Sequence, residues 1–151
     1  MDPLPGTYAL VLTPNSDKPV KIGKLGLLQV RKGYYIYVGS AFGPGGLNAR
    51  IAHHKKVCNR PRWHIDYLRK VTHLKELWYS FDSVRREHQW ADILANAKGV
   101  TVPVPGFGSS DCNCKSHLYF YKSKPSVDYF RRRLRAKIED HERVFIERLV
   151  D

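Results

Sequence analysis

The sequence predicts an α/β (α+β) fold in which helices flank a small mixed sheet. Short runs of strand-forming residues alternate with segments whose apolar residues recur at helical spacing. The composition is that of a globular protein, with 42% hydrophobic and 26% charged residues in a chain of 151. A chain of this length buries a core without disulfides, and its three cysteines are expected to be reduced thiols.

The first part of the chain predicts strands and then a helix. Residues 7–12 are strand formers that stop at a turn cluster, and residues 20–30 predict one or two short, irregular strands. Residues 33–39 place aromatic and β-branched residues between two glycines, which is the strongest strand signal in the chain. A glycine-rich turn follows, and residues 47–55 predict a short helix.

The middle of the chain repeats this alternation. A helical turn, a strand and a second helix are expected at residues 64–69, 74–81 and 84–97. Asp82 or Ser83 is expected to cap that helix, because short polar side chains accept hydrogen bonds from free backbone N–H groups. Residues 102–114 are rich in proline and glycine and predict a loop, and residues 118–121 predict a further strand.

The C-terminal segment predicts one long helix, from a Ser126 cap to about residue 150. Its apolar residues are spaced by three, four or seven positions, which places them on one helical stripe. The break at residues 122–125 is the expected domain boundary. It divides the chain into a core domain, residues 1–122, and a basic helical extension, residues 123–151.

The charge balance points to a polyanionic partner. Lysine and arginine number 26 against 14 aspartate and glutamate, giving a formal net charge of +12 and a pI near 9.8. Such an excess is typical of nucleic-acid-binding domains, although a scattered positive surface can also simply be solvated. No apolar run predicts a membrane span and no signal-peptide pattern opens the sequence, so we expect a cytoplasmic protein without a membrane partner. The sequence identifies no protein partner.

Two short motifs suggest where the chemistry lies. Gly6-Thr7-Tyr8 opens the first predicted strand, and Tyr37-Val38-Gly39 closes the aromatic one. Arg50 and His54 follow on the next predicted helix, and because they are four residues apart they share a helix face. A later helix carries Glu87.

This ordered set resembles the GIY-YIG nuclease superfamily, whose signature is a G-x-Y strand, a Y-x-G strand, a helix with an arginine and a later helix with a metal-binding glutamate. Within it the chain looks closest to a poorly characterised branch that is sometimes fused to endonuclease III. The residues shared with that branch lie at 33–41, 43–47, 63–68 and 102–112, with Cys114, Ser116, His117 and Leu118. Thr7 in place of isoleucine and the long interval from Gly39 to Arg50 depart from the simplest members.

The resemblance implies a metal-dependent endonuclease that hydrolyses phosphodiester bonds in nucleic acid, with DNA favoured over RNA as the substrate. We expect it to be directed by DNA structure or damage, as in DNA repair. Tyr8 would orient or deprotonate the attacking water with support from Tyr37, Arg50 would stabilise the phosphate, and His54 would assist. Glu87 would bind Mg²⁺ or Mn²⁺. The chemistry agrees, because arginine stays charged and matches paired phosphate oxygens. Tyrosine, with a pKa of about 10, becomes a base only if nearby cations or a metal ion lower that value.

Each assignment has a structural alternative. The two tyrosines can be ordinary strand residues packed in a sheet, His54 a structural histidine, and Glu87 a partner of neighbouring arginines. Glu76 competes with Glu87 as the metal ligand, although it lies in a predicted strand. Basic residues expected to hold nucleic-acid phosphates are Lys55, Lys56, Arg60, Arg62, Arg131 and Arg132.

Two other functions compete with the nuclease. One is a nucleic-acid-binding module that keeps the fold without cutting, which would not need Tyr8, Arg50 and Glu87 to converge. The other is a zinc-stabilised interaction domain, because cysteine and histidine are zinc ligand types. Its candidate ligands are Cys112, Cys114 and His117, with Cys58 and His64. Their spacing does not match a standard zinc motif, so zinc is the less favoured cofactor.

Overall fold

The computed structural model describes residues 1–108 and 116–149. The strands are β1 (Gly6–Pro14), β2 (Val20–Lys21), β3 (Leu27–Leu28), β4 (Tyr34–Ala41), β5 (Thr72–Ser80), β6 (Leu118–Tyr121) and β7 (Phe145–Arg148). The helices are α1 (Gly46–Lys55), α2 (His64–Arg69), α3 (Glu87–Ala95) and α4 (Val127–Lys137). The predicted α+β class is confirmed. Within the described residues, no helix combines the length and apolar character needed to cross a bilayer.

Five strands form the main sheet in the order β6-β4-β1-β5-β7. Every neighbouring pair of strands in this sheet is antiparallel. The sheet is therefore not the mixture of parallel and antiparallel pairs that the sequence had predicted. β2 and β3 form a separate two-stranded ribbon around a short 3₁₀ turn, which confirms the short, irregular strands expected there.

β1 is the centre of the sheet and is buried on both faces. Tyr8, Leu10 and Leu12 point into one hydrophobic core, whereas Ala9 and Val11 point into the other. This follows from the two-residue period of a strand, and it explains why β1 is almost continuously apolar. Helices α1 and α2 pack over the first core, and α3 and α4 pack over the second.

The C-terminal helix is shorter than the sequence predicts. α4 ends at Lys137, and the segment after it continues to strand β7, which pairs with the edge of β5. The Arg131 guanidinium fixes the return of the chain by donating from Nε and Nη2 to the Val144 carbonyl, at 3.1 and 2.7 Å. The prediction of a helix that extends to about residue 150 was therefore wrong beyond residue 137. A local apolar stripe cannot reveal that β5 has an edge free for pairing.

Of the two predicted helix caps, one is confirmed and the other is wrong. Ser126 caps α4 as expected, because its Oγ accepts a hydrogen bond from the Tyr129 N–H at 3.2 Å. α3 begins only at Glu87 and has no side-chain cap. Asp82 instead stabilises the loop before it, where it accepts hydrogen bonds from the backbone N–H of Val84 and from the Arg86 guanidinium.

Candidate functional site

A polar cavity of about 440 Å³ lies where β4 ends, between α1, α2 and the start of α3. Its lining includes the side chains of Lys24, Tyr37, Ser40, Arg50, Arg62, Trp63, His64, Tyr67 and Glu87. Three of the five predicted catalytic residues, Tyr37, Arg50 and Glu87, therefore meet at one cavity. Three basic side chains outnumber the single carboxylate, so the cavity suits an anionic ligand.

The remaining two predicted residues, Tyr8 and His54, form a buried pair directly behind this cavity. The Tyr8 hydroxyl and His54 Nε2 share a hydrogen bond of 2.7 Å, and the two side chains are 0% and 1% exposed. The structure thus places Tyr37 on the cavity wall and Tyr8 beneath it.

The glycine of the Y-x-G motif makes this arrangement possible. Gly39 lies opposite Tyr8 in the β1–β4 pairing, and the two residues share a face of the sheet. A Cβ atom on Gly39 would lie 2.4 Å from the Tyr8 oxygen. Only glycine leaves room for the tyrosine ring over β4, which is the physical reason for a glycine at this spacing.

Burial keeps the Tyr8–His54 pair uncharged at neutral pH. Desolvation raises the pKa of Tyr8 far above its usual 10, although the charge and hydrogen bonding of Arg50 act in the opposite direction. Desolvation, assisted by the neighbouring His53, lowers the pKa of His54 from 6.5 to about 3. The pKa of Tyr37 is likewise raised well above 10, chiefly by burial. Both tyrosines are therefore hydroxyl donors rather than phenolates in this state.

Arg50 is held in place from two sides. Its Nη1 donates to the Ser40 carbonyl at 3.1 Å, and its guanidinium carbon lies 4.5 Å from the centre of the Trp63 ring. The hydrogen bond ties the side chain to the end of β4, and the ring adds a cation–π contact. The guanidinium is thereby aimed at the cavity.

Glu87 is the first residue of α3 and also lines the cavity. Its Oε1 lies 2.9 Å from Nδ1 of the buried His117. Burial on its own would raise the pKa of Glu87, but hydrogen bonding and charge from His117, with a hydrogen bond from Ser40, lower it below its usual value. Glu87 is therefore a fixed, ionised carboxylate, a state able to bind a metal ion. The contact with His117 is not predictable from the sequence, because no motif links these two residues, which are 30 positions apart.

Glu76, the competing metal-ligand candidate, is not part of this cavity. It lies on β5, where its Oε2 pairs with Lys124 Nζ at 2.8 Å and its Oε1 accepts a hydrogen bond from the Trp78 indole at 3.0 Å. The ion pair and the indole contact account for this buried carboxylate as a structural group.

The predicted phosphate-binding residues are spread over two surfaces. Arg62 lines the cavity and Lys55 pairs with Glu147 at 3.1 Å, while Lys56 and Arg60 are exposed near the end of α1. Arg131 and Arg132 lie instead at a separate cavity of about 460 Å³ beside α4, and Arg131 is already bonded to the Val144 carbonyl.

The predicted zinc cluster falls partly outside the described residues, because Cys112 and Cys114 lie between 109 and 115. The other members are engaged elsewhere. His117 contacts Glu87, His64 Nδ1 accepts a hydrogen bond from the Gly108 N–H at 2.8 Å, and Cys58 donates to the Arg60 carbonyl. Among residues 1–108 and 116–149, three or more metal-ligating side chains meet only at His53, His54 and Asp66.

Comparison with known proteins identifies a family but no activity. The model of a family described as "Domain of unknown function DUF123" matches residues 7–139. No curated protein and no solved structure matches the chain. The nuclease assignment therefore stays a prediction that the family description does not test. Because the match spans most of the sequence, the chain belongs to the DUF123 family.

Proposed function

We propose that this protein is a metal-dependent endonuclease that hydrolyses phosphodiester bonds in DNA, acting at particular DNA structures or damage. The observation that carries the proposal is the convergence of Tyr37, Arg50 and Glu87 on one cavity, with Tyr8 and His54 paired behind it. These residues are far apart in sequence, and a protein that only binds DNA has no need to bring them together. The resemblance to GIY-YIG nucleases supports the same reading.

In this proposal the basic side chains hold the DNA backbone. Arg50 binds the phosphate under attack, since its guanidinium can donate two parallel hydrogen bonds. Lys24 and Arg62, which line the same cavity, contact neighbouring phosphates. The Tyr37 hydroxyl, a neutral donor and acceptor, orients the attacking water. The Tyr8–His54 pair acts as a positioning unit for Tyr37, because the ring centres of Tyr8 and His54 lie 6.4 and 6.2 Å from that of Tyr37.

The metal ligand would be Glu87. A single ionised carboxylate at an open cavity fits Mg²⁺, which keeps several waters and takes few protein ligands. When bound, such an ion would offset the negative charge that develops on the phosphate oxygens. His117 fixes the carboxylate in position, in the way that outer hydrogen bonds orient metal ligands generally.

The alternative is a nucleic-acid-binding module without catalysis. Two observations favour it: Tyr8 has no exposed surface, and Glu87 is already paired with His117. Both hypotheses account equally well for the basic cavity.

A cleavage assay separates the two hypotheses. Labelled duplex, branched, damaged and single-stranded DNAs would be incubated with the protein in Mg²⁺, Mn²⁺ or EDTA. We expect metal-dependent cutting that falls at least about 100-fold in Glu87→Gln and Arg50→Ala, the size typical of losing one charge-stabilising group. Glu139→Gln, at an exposed position on the chain after α4, is the matched control for the carboxylate change.

Binding and folding measurements complete the design. Glutamine at position 87 keeps the shape of the side chain, so DNA binding and the melting temperature should be retained. Binding by the wild type without cutting of any substrate would establish the binding module instead. Cutting that survives both substitutions would show that the active site lies elsewhere.

A further inference from the structure

A second cluster of metal-ligating groups lies next to the candidate active site, and it shares only His54 with the residues of the proposed mechanism. His53 and His54 are at the C-terminal end of α1, and Asp66 is in the first turn of α2. One ligand atom from each of the three side chains lies within 4.8 Å of the other two. His53 Nε2 and Asp66 Oδ1 are only 2.8 Å apart.

The cluster contains a buried polar atom that the fold leaves unsatisfied. Nε2 of His54 is bonded to Tyr8, but Nδ1 of the same ring is buried and has no hydrogen-bond partner among the described residues. Leaving such a group unpaired in a protein interior is costly. This nitrogen is therefore available to an ion, and imidazole nitrogens are common metal ligands in proteins.

The Asp66 carboxylate is held in place by backbone hydrogen bonds. Its Oδ2 accepts hydrogen bonds from the backbone N–H groups of Arg62 and Trp63, at 2.8 and 3.0 Å. These bonds fix the carboxylate and leave Oδ1 in contact with His53.

We infer that His53, His54 and Asp66 form a binding site for a divalent transition-metal ion of the zinc type, separate from the magnesium site proposed at Glu87. Two imidazoles and one carboxylate are ligands that zinc prefers, whereas magnesium favours oxygen ligands alone. His53 is 29% exposed at its side chain, which leaves the site open to an ion and to a water as fourth ligand.

The side chains need only small movements to close on an ion. Ligands around a tetrahedral ion with bonds of about 2.1 Å lie about 3.4 Å apart. The His53–Asp66 pair would open slightly, and His54 would approach. Binding through Nδ1 of His54 would place the remaining ring proton on Nε2, so that the metal-bound ring donates to the Tyr8 oxygen. The site would thus fix the direction of the Tyr8–His54 hydrogen bond.

The test uses Co²⁺ as a spectroscopic probe and Zn²⁺ as its competitor, with the full chain and no DNA. We expect one Co²⁺ per chain, visible absorption bands of a nitrogen- and oxygen-liganded ion, and displacement by Zn²⁺. His53→Gln, at the partly exposed position, should weaken Co²⁺ binding beyond the roughly 10- to 100-fold that follows the loss of an outer-shell partner. His73→Gln is the matched control, because His73 is an exposed histidine on β5.

Three outcomes would overturn this inference. They are absence of Co²⁺ binding, equal binding by His53→Gln and the wild type, and a thiolate-to-cobalt charge-transfer band, which would place the ion on cysteines. Asp66→Asn is a second variant, and it is informative only if the protein still folds. His53→Gln changes a partly exposed residue, so its result does not depend on that condition. Glu87→Gln should leave the spectrum unchanged, so failure of the nuclease proposal and failure of this site are distinguishable.

Discussion

Acidification should destabilise the fold through His54. The residue is 1% exposed, and burial lowers its pKa from 6.5 to about 3. Between these two values the unfolded chain binds a proton that the folded chain does not. The free energy of unfolding therefore falls as the pH drops below the unfolded pKa, and this contribution is fully retained above it.

The size of the effect follows from the difference between the two pKa values. Each pH unit below 6.5 costs about 1.4 kcal/mol until the folded pKa is reached. At about pH 5 the expected loss is therefore about 2 kcal/mol relative to neutral pH. That is a large fraction of the net stability of a domain of this size.

The assay is urea unfolding at neutral pH and at about pH 5, in EDTA, for the wild type and His54→Gln. Glutamine does not titrate and can still form a hydrogen bond with Tyr8. Asp66, Asp82 and Glu87 also have lowered pKa values, but they titrate in both proteins and cancel in the difference. If both proteins lose the same stability on acidification, His54 does not carry a depressed pKa and the reasoning fails.

Two further predictions concern the loops and strands that position the site. Gly39→Ala should lower stability by about 1–3 kcal/mol, because the new methyl group would overlap the Tyr8 hydroxyl; a melting temperature equal to that of the wild type would contradict this. Asp82→Ala should cost about 3–5 kcal/mol, because it removes the buried carboxylate that pairs with the Arg86 guanidinium and leaves only an exposed one. Urea denaturation would measure the loss, with Asp140→Ala, at the exposed second partner of Arg86, as the control that should change little.

Much of the fold could be predicted because it depends on local patterns. The strand at residues 33–39 was evident from its β-branched and aromatic residues, and β1 from its apolar run between glycine and proline. The helix from residue 47 followed from its spacing, and Ser126 was the cap that its position predicted. These features are governed by residues within a few positions of each other.

The sequence-based predictions were wrong where the local structure depends on contacts between residues that are distant in sequence. The apolar spacing of residues 138–149 is compatible with a helix, but the segment becomes strand β7 because β5 offers an unpaired edge. Asp82 has the right side chain to cap a helix, yet Arg86 and the loop from residue 140 occupy it. Neither partner is visible in a local window of sequence.

The fold class, the positive charge and the candidate nuclease residues could all be predicted from the amino-acid sequence. The environment of those residues depends on the tertiary structure. It placed Tyr37 on the cavity and Tyr8 beneath it, brought His117 to Glu87, and joined His53 to Asp66. Periodicity and capping act between near neighbours and can be read along the chain. Burial, pKa and the pairing of distant side chains arise only when the sheet and its helices close around them.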